Sequence, residues 1–287
     1  MSKCNLILTG SGYLSNAIIS HHSELNSNYN LVEISRTRKN RSVKIKSVQL
    51  DIDNIGKVEN FFDNSKIVYM APPDNSSVED IRSEKFIAAI KRFTVKKIIY
   101  ISTSGVYGNC NGKIVSELQK VNPITERARR RVSAENQFIR YGVNNNVDVV
   151  ILRVPGIYGK TRLPIRRIES REPLIKIEES RTTNLIHVED LSRLTIKALN
   201  IDIKGNEIIN VSDGTAIKTT KYYQLIYKAL GKELPEYISY EEALKIYDDK
   251  RLSFLKESRI LDVSKMHKLL PDCIKYKRVE DGIKASL

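Results

Sequence analysis

Short apolar runs alternate with amphipathic stretches along the first half of the chain. Leu6 to Leu8 predict a strand, residues 13–25 a helix, and Leu31 to Ile34 a second strand. Runs rich in branched residues predict further strands at Val48–Ile52, Lys66–Met70, Lys97–Ile101 and Val147–Leu152. Strands that alternate with helices in this way favour a parallel sheet covered by helices on both faces.

The pattern changes after Gly159. Residues 160–184 are highly charged and irregular. Beyond them the pattern predicts strands at Leu185–Val188 and Ile208–Val211, and helices at 189–199, 219–230, 240–247 and 264–270. We therefore predict an α/β fold, a Rossmann-type doubly wound parallel sheet with a smaller C-terminal α/β cap. The dinucleotide-binding domain would span residues 1–157, with 185–212 returning to it, and the cap would comprise 158–184 and 213–287.

Composition narrows the class of protein. The 287 residues include 48 basic and 34 acidic side chains, a net charge of +14. Because the basic residues are spread along the whole chain, we expect a solvated surface and do not favour nucleic acid as a partner. The chain lacks a long apolar run, and its three cysteines lack metal-ligand spacing. We expect a cytoplasmic protein with reduced thiols, no membrane segment and no metal.

A glycine turn follows the first predicted strand and leads into a helix. It comprises Gly10, Ser11, Gly12, Tyr13 and Leu14. Small residues in this context let the backbone approach a pyrophosphate and direct amide hydrogens at it, so all five are predicted to bind a dinucleotide. Ser15 stands where the usual fingerprint has its third glycine, and an ordinary glycine turn is the alternative interpretation.

The end of the second strand bears on the choice between NADP and NAD. We place Ser35 at the last strand position, with Arg36 and Arg38 beside it, which favours the 2′-phosphate of NADP. If the strand ended two residues earlier, Glu33 would face the ribose and NAD would be preferred. The alternative interpretation is that Arg36 and Arg38 belong to a solvated basic loop.

Four later segments, in the expected order, resemble the extended short-chain dehydrogenase/reductases, also called the NAD-dependent epimerase/dehydratase family. They are Ile98–Gly108, Leu152–Gly159, Asn184–Asp190 and Ile209–Ser212. The resemblance implies cofactor contacts from Asp51 and Ile52 near adenine, from the loop Met70, Ala71 and Pro72, from Ser102, and from Pro155 and Ile157 near the nicotinamide. A turn or a helix cap is the alternative role for Asp51.

The resemblance also implies a catalytic tyrosine four residues before a lysine. Counted back from Ala134-Glu135, the lysine position holds Arg131 and the tyrosine position holds Arg127. A guanidinium, with a pKa above about 12, cannot act as a neutral base. Arg131 could still bind the ribose and Arg127 an anionic substrate, unless both lie on a solvated helix face. Thr103 matches the family hydroxyl that binds the reacting oxygen, so Thr103, Arg127 and Arg131 are the catalytic candidates.

Basic residues crowd the start of the cap. They are Lys160, Arg162, Arg166, Arg167 and Arg171. Many family members bind the diphosphate of a nucleotide sugar in this region, so Arg162 and Asn184 are the substrate-side candidates, with general basic composition as the alternative explanation.

Together the motifs predict an NAD(P)-dependent oxidoreductase, epimerase or dehydratase that acts on a small anionic substrate such as a nucleotide sugar without the usual Tyr-Lys pair. NADP is the preferred cofactor and NAD the alternative. The competing hypothesis is a non-catalytic NAD(P)-binding sensor or scaffold. The resemblance also implies a homodimer through Val78–Phe93 and Ile124–Tyr141, although the charge on these helices disfavours a dry contact.

Overall fold

Seven parallel strands form the central sheet of the protein. The computed structural model describes residues 3–37, 39–41, 44–55, 60–248, 251–252 and 255–287. The sheet strands are β1 (Cys4–Thr9), β2 (Tyr29–Ser35), β3 (Lys46–Gln49), β4 (Ser65–Tyr69), β5 (Val95–Thr103), β7 (Asp148–Val154) and β11 (Asn206–Asn210). Their order is β11-β7-β5-β4-β1-β2-β3, and every neighbouring pair is parallel. The predicted α/β fold is confirmed.

Helices cover both faces of the sheet. The first half of the chain contributes α1 (Tyr13–Ile19), α2 (His22–Asn28), α3 (Ile81–Ile90) and α4 (Glu126–Asn145). On one face, α1 packs with α6 (Val188–Asn200) against Leu6, Leu8 and their neighbours; on the other, α3 and α4 pack against Ile7 and Ile98. Complete burial of one such aliphatic side chain contributes about 1.5–3 kcal/mol, which explains why the central strands are apolar on both faces.

The strand order places a crevice beside β1. Because β1 lies between β2 and β4, the chain reverses its direction of travel across the sheet at β1. The loops that follow β1 and β4 therefore diverge at the carboxyl edge, which is where open α/β sheets bind their ligands.

The cap consists of shorter elements. Its helices are α5 (Ile165–Glu169), α7 (Thr219–Ala229), α8 (Tyr240–Ile246), α9 (Ser264–Leu269) and α10 (Val279–Ser286). Seven short strands lie outside the central sheet: β6 (Ile114–Val115), β8 (Gly156–Tyr158), β9 (Leu174–Ile175), β10 (Thr182–His187), β12 (Ala216–Lys218), β13 (Tyr237–Ile238) and β14 (Ile260–Leu261). β10 pairs with β8 and β12 in a separate sheet, whereas β11 joins the central one.

One helix and one strand differ from the sequence prediction where a side chain forms a hydrogen bond with the nearby backbone. The helix predicted over 13–25 is divided between α1 and α2, and Ser20 at the break donates its hydroxyl to the Ala17 carbonyl at 2.6 Å. The strand predicted over Val48–Ile52 ends at Gln49, because Asp51 accepts the Asp53 amide at 3.1 Å and caps a 3-10 turn. Among the described residues, no helix combines the length and the apolar character needed to cross a bilayer.

Candidate functional site

The glycine turn leaves open space at the carboxyl end of β1. Gly10 has φ +100°, a conformation that favours glycine, and its amide donates to the Ile34 carbonyl at 2.7 Å. A Cβ built on Gly10 or Gly12 would meet nothing within 4 Å. Gly12 is the N-cap of α1 and so brings no side chain to the first helical amides, which include those of Tyr13 and Leu14. The turn can therefore admit a phosphate group without displacing protein atoms.

Ser15, at the third position of the fingerprint, contacts the second strand. Its hydroxyl donates to Glu33 Oε1 at 2.9 Å, and Arg41 Nε donates to Glu33 Oε2 at 2.9 Å. Arg41 Nη2 forms an additional ion pair with Glu33 Oε1. Glu33 is fully buried, so its carboxylate is already committed to protein partners.

β2 continues past Glu33 to Ser35, the position that the sequence prediction assigned to the strand end. The Ser35 hydroxyl donates to the Thr37 carbonyl at 2.6 Å, and the neighbouring Arg36 is exposed. Arg38 lies outside the described residues. The predicted 2′-phosphate site thus has Ser35 and Arg36 at the carboxyl edge of the sheet.

An arginine that the sequence analysis did not single out joins the loops after β3 and β4. Arg82 donates from Nε and Nη2 to the Asp53 carboxylate at 2.6 and 2.5 Å, and from Nη1 to the Pro72 carbonyl at 2.5 Å. The bond from Arg82 holds the pKa of Asp53 below its usual value. The loop 51–54 and the loop 70–72 therefore keep a fixed spacing. No local motif marks Arg82, because its partners are distant in sequence.

The same two loops carry four other residues that were predicted to contact the cofactor. Asp51 caps the turn, as its alternative interpretation proposed, and Ile52 is buried. The Met70 amide donates to Thr9 Oγ1 at 3.0 Å, and Ala71 is buried. These residues lie at the same sheet edge as the glycine turn.

Ser102, at the end of β5, belongs to a buried network. Its hydroxyl donates to Glu135 Oε1 at 2.5 Å, and Arg153 donates to Glu135 from Nε at 3.2 Å and from Nη2 at 2.8 Å. The network fixes α4 against β5 and β7. The next residue, Thr103, accepts the Gly105 amide at Oγ1 at 3.2 Å and is partly exposed.

The two arginines at the Tyr and Lys positions face different surroundings. Arg131 Nη1 donates to Tyr100 Oη at 3.1 Å and to the Ile101 carbonyl at 2.9 Å. Burial raises the pKa of Tyr100 to about 12 despite the opposing effect of Arg131. Arg127 is exposed and lines a cavity.

Two other side chains in the family motifs form hydrogen bonds within the protein. Tyr107 Oη donates to Asn210 Oδ1 at 2.7 Å, and His187 Nδ1 accepts the Glu189 amide at 3.2 Å. Burial lowers the pKa of His187.

A cavity of about 500 Å³ lies between the end of β5 and the cap. Six predicted site residues line it: Thr103, Arg127, Pro155, Ile157, Arg162 and Asn184. The described lining residues include six arginines and a single carboxylate, Glu257: the arginines are Arg127, Arg162, Arg167, Arg181, Arg251 and Arg259. Such an excess of guanidinium groups favours an anionic ligand.

The cavity and the glycine turn are adjacent. Arg162 lies over the ring of Tyr13, with 4.7 Å between the guanidinium carbon and the ring centroid. Tyr13 Oη donates to the Lys160 carbonyl at 2.8 Å. A predicted cofactor residue and a predicted substrate residue are therefore in direct contact.

Asn184 serves the cap backbone. Its Nδ2 donates to the Arg259 carbonyl at 2.9 Å, and its Oδ1 accepts the Leu261 amide at 3.0 Å. It therefore anchors the segment that carries Glu257, a residue that the sequence analysis missed because no motif connects it with Thr103.

Comparisons with known proteins agree with this architecture. The chain matches the model of the NAD dependent epimerase/dehydratase family over residues 6–212. It is 24% identical over 275 residues to a UDP-glucuronate 4-epimerase from Thermodesulfobacterium geofontis, covering 86% of this chain and 80% of that protein.

Two solved structures show the same fold. A conserved protein of unknown function from Silicibacter pomeroyi superposes with a TM-score of 0.82 at 21% identity, covering 99% of this chain and 98% of that chain. The UDP-glucuronic acid 4-epimerase from Bacillus cereus, solved in complex with UDP-glucuronic acid and NAD, superposes with a TM-score of 0.78 at 20% identity, covering 98% and 97%.

Proposed function

The chain belongs to the NAD-dependent epimerase/dehydratase family, and on that premise we propose that it is an NAD(P)-dependent oxidoreductase, epimerase or dehydratase with an atypical active site. Its substrate is a small anion such as a nucleotide sugar. One observation carries the proposal: a single cavity joins Thr103, at the carboxyl end of β5, to an arginine-rich cap.

The cofactor site fits a dinucleotide. Gly10 and Gly12 have open space on the side where a Cβ would project, and the helix that follows offers its first amides to a pyrophosphate. Gly10, Ser11, Gly12, Tyr13 and Leu14 would hold the phosphates. The loops of Asp51, Ile52, Met70, Ala71 and Pro72 would hold the adenosine, and Arg131, Pro155 and Ile157 the nicotinamide side. When bound, the dinucleotide supplies a ring that exchanges hydride with the substrate.

We propose NADP as the cofactor, with NAD as the alternative. Support comes from the strand end, where Ser35 is the last residue of β2 and Arg36 is exposed. Glu33, the candidate ribose ligand in the NAD alternative, is buried and paired with Arg41. A serine and a cation at the strand end suit a 2′-phosphate, which a carboxylate there would repel.

The cap supplies the charge for an anionic substrate. The Nε atom of Arg181 is buried without a hydrogen-bond partner, and Arg181 lines the cavity together with Arg162 and Arg167. A buried guanidinium N–H without a partner is costly, so a phosphate or carboxylate that accepts from it would bind favourably.

The active site is atypical because Arg127 stands at the position of the family's catalytic tyrosine. Arg127 cannot accept a proton near neutral pH, but it lines the same cavity as Thr103. Arg127 therefore serves as an anion ligand, and the acid or base must come from another side chain.

The proposal is tested by titrating the purified protein with NADPH and with NADH while nicotinamide fluorescence is followed. A panel of nucleotide sugars is then incubated with the protein and each oxidised cofactor, and products are identified by NMR. Dinucleotide binding with turnover of a nucleotide sugar is expected. If neither dinucleotide bound, the oxidoreductase proposal would be wrong.

A second candidate function is a non-catalytic NAD(P)-binding sensor or scaffold. The observation that favours it is the pair of arginines at positions 127 and 131, since Arg131 Nη1 already donates to protein acceptors. Dinucleotide binding without turnover of any nucleotide sugar would support this function over the first.

Three further properties belong to the proposal. We propose a cytoplasmic location, consistent with the free thiols of the three cysteines. We do not propose nucleic acid as a partner. A homodimer through α3 and α4 is the assembly we would test by sedimentation, although exposed arginines such as Arg129 and Arg140 on α4 disfavour a dry interface.

A further inference from the structure

Glu257 lines the same cavity as Thr103. It is the one carboxylate among the described residues that line this cavity. A Cβ built on Gly105 would lie 3.5 Å from Thr103 Oγ1 and 3.8 Å from Glu257 Oε2. The threonine hydroxyl and the carboxylate therefore border the same space, which glycine at position 105 leaves open.

The segment that carries Glu257 is firmly attached to the loop after β5. The Ser258 carbonyl accepts the amides of Cys110 and Gly112, both at 3.0 Å. The Ile260 amide donates to the Lys113 carbonyl at 3.0 Å, and Asn184 holds the same segment from the other side. These bonds fix the main chain immediately after Glu257.

An arginine compensates the charge of Glu257. Arg259 Nη1 donates to Glu257 Oε2 at 2.8 Å and to the Gly108 carbonyl at 2.6 Å. The Glu257 side chain is only 11% exposed, so this pairing offsets the cost of removing the carboxylate from water. A carboxylate has about four acceptor sites, so Glu257 can still accept from a substrate hydroxyl.

We infer that Glu257 is the acid-base residue of this site and performs the proton transfer that Arg127 cannot. The inference rests on the proposed function and names the residue that exchanges the proton. Thr103 binds the oxygen of a substrate carbinol, and Glu257 accepts its proton as the O–H bond breaks. The hydrogen on the same carbon leaves with its electron pair as hydride, for which an oxidised nicotinamide dinucleotide is the acceptor, and the substrate becomes a ketone. In the reverse direction Glu257 returns the proton to the oxygen.

The experiment compares the native protein with Glu257→Gln, Glu257→Asp and the matched control Glu236→Gln. The glutamine variant keeps the shape but cannot accept a proton, and the aspartate variant keeps the charge on a shorter side chain. Glu236 is an exposed carboxylate outside the cavity lining. Turnover of the nucleotide sugar gives kcat and KM, calorimetry gives the affinity for that sugar nucleotide, and thermal unfolding verifies the fold of each variant.

We expect Glu257→Gln to lower kcat by about 100-fold or more, the usual contribution of a positioned acid or base. Its affinity for the sugar nucleotide should stay within about threefold of native, that is, within about 0.7 kcal/mol. Glu257→Asp should fall between Glu257→Gln and the native protein, and Glu236→Gln should match native. If the glutamine variant does not fold, the aspartate variant decides, because native kcat in it would overturn the inference.

Two other outcomes separate the inference from the proposed function. Native-like kcat in Glu257→Gln, or a loss confined to KM and affinity, would overturn the role of Glu257 alone. Absence of turnover by the native protein across the panel would overturn the proposed catalytic function and this inference with it.

Discussion

Arg41 pairs with the buried carboxylate of Glu33, which also accepts the Ser15 hydroxyl of α1. Nε donates to Oε2 at 2.9 Å, and Nη2 pairs with Oε1. Glu33 is fully buried and the Arg41 side chain is 19% exposed. The pair therefore neutralises a carboxylate beneath α1, and its complete burial leaves that carboxylate no exposed surface for a ribose hydroxyl.

Replacing Arg41 should lower the free energy of unfolding, because the buried charge of Glu33 loses its ion-pair partner. Among the described residues, Arg41→Ala leaves Glu33 with the Ser15 hydroxyl as its side-chain partner, and we expect a loss of about 3 kcal/mol in the free energy of unfolding. Urea denaturation measures the loss. Arg36→Ala is the control, because it removes the same charge from an exposed position and should cost less than about 0.5 kcal/mol. Equal losses in the two variants would contradict this account of the pair.

The strand end should determine the cofactor preference. We expect the native protein to bind NADPH at least about tenfold more tightly than NADH, a difference of about 1.4 kcal/mol. Ser35→Asp should reverse the order, because a carboxylate there accepts ribose hydroxyls and repels a 2′-phosphate. Fluorescence titration measures both affinities. Arg36→Ala should weaken NADPH and leave NADH unchanged; a parallel loss for the two cofactors would argue against the 2′-phosphate site.

Local patterns in the sequence predict the sheet and the loops at its carboxyl edge. Periodicity finds the central strands because they are buried on both faces, and the glycine turn is recognisable because Gly10 needs a conformation that favours glycine. The same patterns extend the third strand too far, since they do not register that Asp51 caps a turn through the Asp53 amide. Competition between side chain and backbone sets these boundaries.

Sequence reasoning does not predict which side chains meet in the folded protein. Glu33 suggests a ribose ligand until the fold brings Arg41 and Ser15 to it. Glu257 reaches the neighbourhood of Thr103 through backbone pairing of β14 with β6. Neither partner set has a spacing that a single sequence reveals, because tertiary packing alone decides which charges meet.

Arg127 should bind the anionic part of the substrate. Arg127→Ala is expected to weaken the affinity for a nucleotide sugar by about tenfold, or about 1.4 kcal/mol, because it removes one guanidinium from the cavity lining. Dinucleotide affinity should not change. Calorimetry at low and high salt measures the effect, which should shrink as salt screens the charge. Arg129→Ala, exposed on the same helix, is the control; an equal loss there would assign the effect to the overall charge of the helix.

The ionisation of Asp213 should make the free energy of unfolding depend on pH. Burial raises the pKa of its carboxyl to about 6 from 3.8, and its Oδ2 is buried without a partner. Because the folded-state pKa is raised, the protonated form stabilises the fold below pH 3.8, and that stability is lost as the pH rises through 6.

Asp213→Asn removes the ionisable group while its amide oxygen can still accept from Thr215, as Oδ1 does. We expect a gain of about 2 kcal/mol at pH 8, which is the cost of the buried charge less that of an unpaired amide donor, and almost no change at pH 4. Denaturation by urea at the two pH values measures this. Asp262→Asn is the control of opposite sign, because bonds from Ser264 lower the pKa of Asp262, so the substitution should destabilise the protein at pH 8. A pH-independent effect of Asp213→Asn would mean that packing, and not ionisation, governs this position.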